Sequence, residues 1–267
     1  MKKIGFVDYF ISEWHANNYP AWIDAASKRL GLDMKVCYAW AEDDVSPVDG
    51  VTTDEWCEKF GTERCASIEE LCEKSDYIVI LSPSNAEKHL GYAEKVLKYG
   101  KPTYIDKTFS PDYATAVKIF EIAAKYGTPF FSTSALRYAT ELDSVNPVKT
   151  LDVTGGGRLF EEYCIHQIEM IVKLMNAPHT SVTARSTEDT VTAEIGFADG
   201  RTATVNFASD NAFTVKADGG EVVPISSDFF GILIADMLRF FDTKEVSFDT
   251  AQTLQAMDIR EKVLSQL

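Results

Sequence analysis

The sequence has few basic residues and no long apolar run. Lys and Arg number 26 against 41 Asp and Glu, so the formal net charge is −15. This charge repels phosphate backbones and anionic lipid surfaces, so we expect neither a nucleic acid nor a membrane as a partner. No segment reaches the roughly 20 apolar residues of a membrane span. The apolar stretch after Met1 is too short for a signal peptide, and a cytoplasmic location is therefore predicted.

Paired cysteine motifs are also lacking. The five cysteines are an odd number without CxxC spacing, which indicates neither a disulfide framework nor a structural zinc site. We expect reduced, mostly buried thiols and predict no metal site. Apolar residues make up 45% of the 267 residues, enough for the core of one large or two ordinary domains.

Short apolar runs alternate with helical patterns in the first half of the chain. The continuous run from Tyr77 to Leu81 is typical of a strand that is covered on both faces. Other strands are predicted at residues 3–9, 34–40 and 102–106 and from Phe130. This alternation predicts a Rossmann-like, doubly wound parallel sheet, and hence an α/β domain over residues 1–145.

Capping signals place the helices of this half. Pro20 is predicted as the first residue of the first helix. Ser67 and Glu70 have the spacing of a capping box. Ser110, Pro111 and Asp112 predict another helix, with the hydroxyl as its cap and the proline as its first residue.

The second half has a different rhythm. A long helix is predicted over residues 159–175, and period-two alternation then marks two strands joined at Asp199-Gly200, a strong hairpin signal. Two more helices are predicted over residues 228–241 and 250–264. This pattern predicts an α+β domain with a mostly antiparallel sheet over residues 146–267.

A lysine, Lys107, follows the strand that ends near Asp106. In open α/β sheets, chemistry takes place at the carboxyl ends of the strands, so this position favours a functional role. The simpler alternative is a surface lysine at a strand end. Arg137, after the last strand of the first half, is expected either to bind a substrate oxygen or to pair with an inter-domain acid.

With these elements placed, the chain resembles the Gfo/Idh/MocA family of nicotinamide-dependent sugar and polyol oxidoreductases. Asp106-Lys107-Thr108 stands where that family usually has Glu-Lys-Pro. Ser82-Pro83, His89 and Gly100-Lys101 resemble the motifs before the catalytic strand, and Arg137-Tyr138 resembles an Arg-aromatic pair. The glycines at 155–157, followed by Glu162, His166 and Glu169, resemble the substrate-site helix.

The resemblance implies NAD or NADP as the cofactor and a small-molecule substrate. It assigns Lys107 and His166 to catalysis, where they would share removal of the hydroxyl proton, and Glu162 to orienting the imidazole or the substrate. It places the substrate at Arg137 and Tyr138. The cofactor contacts that it implies are Asp8, Phe10, Ile11, Ser82, Pro83, His89 and Asp106.

The first turn departs from this family pattern. A dinucleotide fold shows GxGxxG after its first strand, because glycine lets the backbone approach the pyrophosphate. Here the turn reads Asp8-Tyr9-Phe10-Ile11-Ser12-Glu13, and acids fill two of the three glycine positions. The usual ribose-binding acid after the second strand is also displaced, and Glu42 or Asp43 is its candidate replacement.

Two functions follow from these observations. The leading hypothesis is an NAD(P)-dependent oxidoreductase that acts on a sugar-like or polyol alcohol. The alternative is a cofactor-free relative that serves as a small-molecule binding or assembly subunit. It is favoured if a ring of Tyr9 or Phe10 fills the dinucleotide groove. By analogy, we expect a homo-oligomer, a dimer or a tetramer, formed through the second sheet. His166 and Glu162 also have simpler interpretations, as a core histidine and a solvated helix charge.

Overall fold

The computed structural model describes residues 1–267, which divide into two units. The first unit consists of Met1–Ser132 and Leu233–Phe248, and the second of Thr133–Ile232 and Asp249–Leu267. None of the α-helices has the length and hydropathy needed to cross a lipid bilayer. All five cysteines are free thiols.

The first unit is built on a parallel sheet of six strands in the order β3-β2-β1-β4-β5-β6. This is the strand order of a dinucleotide-binding Rossmann fold, so the predicted fold of this half is confirmed. The strands are β1 (Lys2–Asp8), β2 (Met34–Ala41), β3 (Glu63–Arg64), β4 (Tyr77–Ile80), β5 (Thr103–Ile105) and β6 (Phe130–Phe131). The helices between them are α1 (Trp14–Leu30), α2 (Thr53–Phe60), α3 (Ile68–Lys74), α4 (His89–Val96) and α5 (Tyr113–Tyr126).

Two predicted helix starts and one predicted capping box differ from the structure. The first helix begins at Trp14 and carries Pro20 in its interior, because the Glu13 side chain caps it six residues earlier than predicted. Ser67 caps α3, but Glu70 binds the Ala66 amide instead of closing a capping box. The last case is α5, which starts at Tyr113 because Asp112, not Ser110, is its cap and accepts a hydrogen bond from the Thr115 amide.

The second unit is built on a mixed sheet of six strands in the order β12-β11-β7-β10-β9-β8. Only β10 and β7 run parallel, so the expectation of a mostly antiparallel sheet is confirmed. The strands are β7 (Thr150–Gly155), β8 (His179–Ser186), β9 (Val191–Phe197), β10 (Thr202–Phe207), β11 (Thr214–Ala217) and β12 (Val223–Pro224). The helices that follow the first half are α6 (Phe160–Met175), α7 (Phe229–Thr243) and α8 (Ala251–Leu264).

Most of α7 belongs to the first unit, where its aromatic residues cover the sheet. Phe241 stacks on Tyr77 with ring centroids 4.8 Å apart, and Phe240 meets Phe131 edge-on at 4.9 Å. Offset and edge-on contacts of this kind add to the burial of large apolar rings. The first unit is therefore completed by a segment that lies about a hundred residues after its last strand.

Candidate functional site

The carboxyl edge of the first sheet gathers several buried polar side chains. Asp8 ends β1, Ser82 follows β4, and Asp106 and Lys107 follow β5. Parallel strands present their carboxyl ends at one edge of a sheet, which is where ligands bind in this architecture. Four of the predicted cofactor contacts thus lie at this edge: Asp8, Ser82, Pro83 and Asp106.

Lys107 is half-buried directly after β5. Its backbone amide donates to Asp106 at 2.8 Å, and its Nζ lies 3.4 Å from the Pro83 carbonyl oxygen. The peptide bond between Lys107 and Thr108 is cis. The amine thus lies at the end of β5, as the sequence predicts, and the structure also places it next to the segment that follows β4.

Asp106 forms a buried pair with His15, a residue for which the sequence predicts no role. The His15 Nδ1 contacts one carboxylate oxygen of Asp106, and the Tyr104 hydroxyl donates to the other at 3.2 Å. Burial opposes ionisation of Asp106, but the charge and hydrogen bond of His15 hold its pKa below the usual value. The carboxyl neighbour of Lys107 is consequently an anion that is already partnered.

The Asp8 side chain at this edge is only partly satisfied by hydrogen bonds. Its Oδ1 accepts hydrogen bonds from the Tyr9 amide at 2.7 Å and the Ser82 hydroxyl at 2.9 Å, whereas Oδ2 is buried without a partner. Burial, with the nearby charge of Glu13, raises the pKa of Asp8 well above its usual value. Asp8 therefore favours its protonated form.

This shift predicts a pH-dependent stability. A carboxyl group whose pKa is higher in the folded chain than the unfolded value of 3.8 stabilises fully below that value, and the stabilisation is lost as the pH rises through the folded pKa. Asp8→Asn mimics the protonated acid, so we expect it to be more stable than the native chain by about 1–3 kcal/mol at pH 8 and nearly equal at pH 4. Urea denaturation at both pH values measures this; a destabilised Asn variant at pH 8 contradicts it.

The loop after β1 ends at Glu13, whose side chain caps the N-terminus of α1. Its carboxylate accepts hydrogen bonds from the amides of His15 (2.8 Å) and Ala16, which are the first donors of α1. These amides are the ones that a cofactor pyrophosphate uses in a Rossmann fold. In this arrangement the first turn does not fit a pyrophosphate, because a carboxylate of the chain occupies its place.

The other predicted cofactor residues are held by the protein itself. His89 is fully buried, with Nδ1 2.9 Å from the Phe109 carbonyl oxygen and Nε2 2.5 Å from that of Leu81. It therefore joins the segments that follow β4 and β5. Ile11 is buried and the half-buried Phe10 packs against Tyr9. Contacts of these residues with a cofactor remain predictions.

In the second unit, His166 lies half-buried on α6. Its Nδ1 is 2.6 Å from the hydroxyl of Ser134, which is buried and also accepts the Leu136 amide at 3.2 Å. Tyr163 and Phe213 flank the imidazole, with ring centroids 5.7 and 5.8 Å away. Ser134, rather than the predicted Glu162, therefore orients the ring.

The Glu162 carboxylate binds Arg158 with both oxygens, at 2.7 and 2.9 Å. This is an ion pair within α6 and the loop before it, and Arg158 is largely exposed. The prediction that Glu162 orients the imidazole is thus not supported by a contact in the structure. A role toward a substrate remains a prediction.

Arg137 is buried in the second unit and pairs with Glu169 at 3.1 Å. Its guanidinium also donates to the Gln252 side chain, and its carbonyl oxygen accepts the Lys173 amine at 3.0 Å. Two roles were considered for Arg137, and the structure shows the pairing with an acid, Glu169. Tyr138, next to it, is half-buried.

Comparison with known proteins identifies a segment of the first half of the chain. Residues 45–134 match the model of an oxidoreductase family with an NAD-binding Rossmann fold, the GFO_IDH_MocA family. This segment belongs to the Gfo/Idh/MocA family. The resemblance stated from the sequence is thereby confirmed. The match includes Lys107 and begins after β2, so the first turn lies outside it.

Solved structures share the fold over the whole chain. UDP-N-acetylglucosamine 3-dehydrogenase GnnA from Acidithiobacillus ferrooxidans aligns with 13% identity and a TM-score of 0.77, covering 99% of this chain and 97% of that one. Biliverdin reductase from a Synechocystis species, in complex with biliverdin and NADP⁺, aligns with 16% identity and a TM-score of 0.74, covering 99% of this chain and 98% of that one. An oxidoreductase from Agrobacterium radiobacter, in complex with NAD⁺, L-tartaric acid and magnesium, aligns with 14% identity and a TM-score of 0.77, covering 99% of this chain and 96% of that one. No curated protein matches the sequence.

Proposed function

We propose that the protein is a nicotinamide-dependent oxidoreductase that acts on the alcohol group of a sugar-like or polyol compound. The observation that carries the proposal is Lys107, which lies at the carboxyl end of β5 inside the segment that belongs to the Gfo/Idh/MocA family. Two of the structural neighbours solved with a bound nicotinamide nucleotide, one together with L-tartaric acid and one with biliverdin, support the dependence on a nicotinamide cofactor.

The residues of each unit have the chemistry for the proton part of such a reaction. Oxidation of an alcohol releases the hydroxyl proton, and a general base within hydrogen-bond reach speeds this step. Lys107 is proposed as that base, and His166 as the group that takes or relays the proton. Ser134 contacts Nδ1 of His166, and we assign proton exchange to Nε2.

The surroundings of His166 favour a polyhydroxylated ligand. The rings of Tyr163 and Phe213 place apolar surfaces beside a polar imidazole, and small-molecule sites combine these two features. The neighbouring glycines leave little room, since a Cβ on Gly157 would come within 2.2 Å of the Tyr163 ring. GnnA, a structural neighbour, is by name a dehydrogenase of a nucleotide sugar.

A homo-oligomer in the cytoplasm is part of the proposal. Strands β8 and β9 carry exposed residues on one sheet face, among them Thr183 and Glu194, which supports an interface on this sheet. The free thiols fit a reducing compartment.

One observation favours a second candidate function. The Glu13 carboxylate occupies the anion-binding end of α1, as a cofactor-free relative would allow. Such a protein would bind a small molecule or a partner and show no response to nicotinamide nucleotides.

Titration of the purified protein with NAD⁺, NADH, NADP⁺ and NADPH separates the two candidates. We expect at least one of the four to raise the melting temperature and to quench tryptophan fluorescence in a saturable way, because a ligand that binds only the folded state stabilises it. Protein that shows neither response up to millimolar concentrations contradicts the oxidoreductase proposal and favours the cofactor-free relative.

A further inference from the structure

The places where a dinucleotide contacts a Rossmann fold are already occupied in this chain by its own side chains. Such a cofactor places its pyrophosphate at the N-terminus of the first helix and its ribose against an acid near the end of the second strand. The pyrophosphate position and the ribose position both belong to the first unit, and a different side chain lies at each of them.

At the pyrophosphate position, Glu13 satisfies the first amides of α1. Its carboxylate is buried, only 8% exposed, and binds the amides of His15 and Ala16. An anion at a helix N-terminus is stabilised by those donors and by the helix dipole, for a side chain as for a phosphate. The two anions therefore compete for the same donors.

Nearby charges make simultaneous occupation unfavourable. Asp106 is buried near Glu13, and its charge raises the pKa of both Asp8 and Glu13 in addition to the effect of burial. A pyrophosphate added beside Glu13 would meet a carboxylate at close range in a site shielded from solvent, where Coulomb repulsion is strong. Entry of the pyrophosphate thus requires the Glu13 side chain to leave.

At the ribose position, Glu42 is held in a network. Its carboxylate accepts the Lys88 amine at 2.6 Å and the Tyr92 hydroxyl at 2.7 Å. The same Lys88 amine lies 4.3 Å from the centroid of the Tyr9 ring, and the Tyr9 carbonyl accepts the Asp43 amide at 2.7 Å. The loop after β1 is thereby fastened to the end of β2 and to the segment before α4.

We propose that Glu13 is an internal competitor of the cofactor pyrophosphate, and that a dinucleotide binds the first unit only when this carboxylate leaves the N-terminus of α1. This inference rests on the proposed nicotinamide-dependent function. It predicts weak binding by the native chain and tighter binding once the carboxylate is removed.

Calorimetric titration with NADH, NADPH and ADP-ribose tests the proposal on the native chain and on two variants. Glu13→Gln keeps the size of the side chain and removes its charge, and Glu13→Ala removes the competitor altogether. Asp112→Asn is the matched control, because Asp112 is also an acidic N-cap of a long helix in the first unit. We expect both Glu13 variants to bind at least one probe about tenfold or more tightly than the native chain, and Asp112→Asn to bind as the native chain does.

The melting temperatures of all three variants are measured in parallel, since removal of a capping side chain, as in Glu13→Ala, costs about 1 kcal/mol of stability. Tighter binding by the Glu13 variants despite lower melting temperatures supports the proposal. Equal affinity of native and Glu13-substituted protein overturns it and leaves the oxidoreductase proposal standing. Absence of binding to all forms overturns both proposals, because the competitor is then not what prevents binding.

Discussion

Replacement of Lys107 by methionine is expected to lower kcat/KM for alcohol oxidation by about a thousandfold, the contribution typical of a general base. Methionine has a similar length but accepts no proton. NADH affinity is expected to change less than threefold, since the residue is assigned to the proton and not to the cofactor. The measurement is the initial rate of nicotinamide reduction with a panel of polyols and sugars, alongside an NADH titration.

The matched control is Lys118→Met, which removes an exposed lysine of α5 in the same unit. It is expected to retain native activity. If Lys107→Met keeps kcat/KM within threefold of the native value, Lys107 is not the general base. His166 is then the remaining candidate for that role. A matching loss in both lysine variants would point to a general effect of charge.

Arg137→Met is expected to destabilise the second unit by about 3–5 kcal/mol, because it leaves Glu169 as a buried charge without its partner. Burial raises the pKa of Glu169, and the Arg137 guanidinium opposes this rise. Without the guanidinium the pKa rises further. The variant should therefore lose more stability at pH 8 than at pH 5, since a raised carboxyl pKa removes stability as the pH increases through it.

Urea denaturation at the two pH values measures this loss. The double variant Arg137→Met with Glu169→Met serves as the comparison, because replacing a buried ion pair by apolar side chains of similar volume is often neutral or stabilising. We expect it to recover most of the stability. If Arg137→Met alone lowers the free energy of unfolding by less than 1 kcal/mol, the ion pair does not stabilise this part of the unit. That result would favour a direct role of Arg137 in substrate binding.

Local patterns were enough to predict both sheets and most helices. Continuous apolar strands such as Tyr77–Ile80 and the Asp199-Gly200 hairpin depend on short-range physics that the sequence displays directly. Helix starts were less accessible. Glutamate is not among the preferred N-caps, so nothing in the sequence marks Glu13 as the cap of α1.

The sequence predicts which site residues lie at strand ends, but it does not predict the side chains that contact them. Lys107 follows from its position after β5, whereas the contacts of His15 with Asp106 and of Ser134 with His166 join residues 91 and 32 positions apart. Ser134 carries a local signal as a hydroxyl that begins a short turn, yet only the fold brings it to an imidazole. Pairings of this kind depend on tertiary packing.

The return of α7 to the first sheet affects how the protein is made. Tyr77 and Phe131 receive their aromatic cover from Phe240 and Phe241, which the ribosome adds more than a hundred residues later. During synthesis the nascent Rossmann half therefore leaves an apolar surface uncovered until more than a hundred further residues have emerged. That interval is when chaperone binding or aggregation competes with folding.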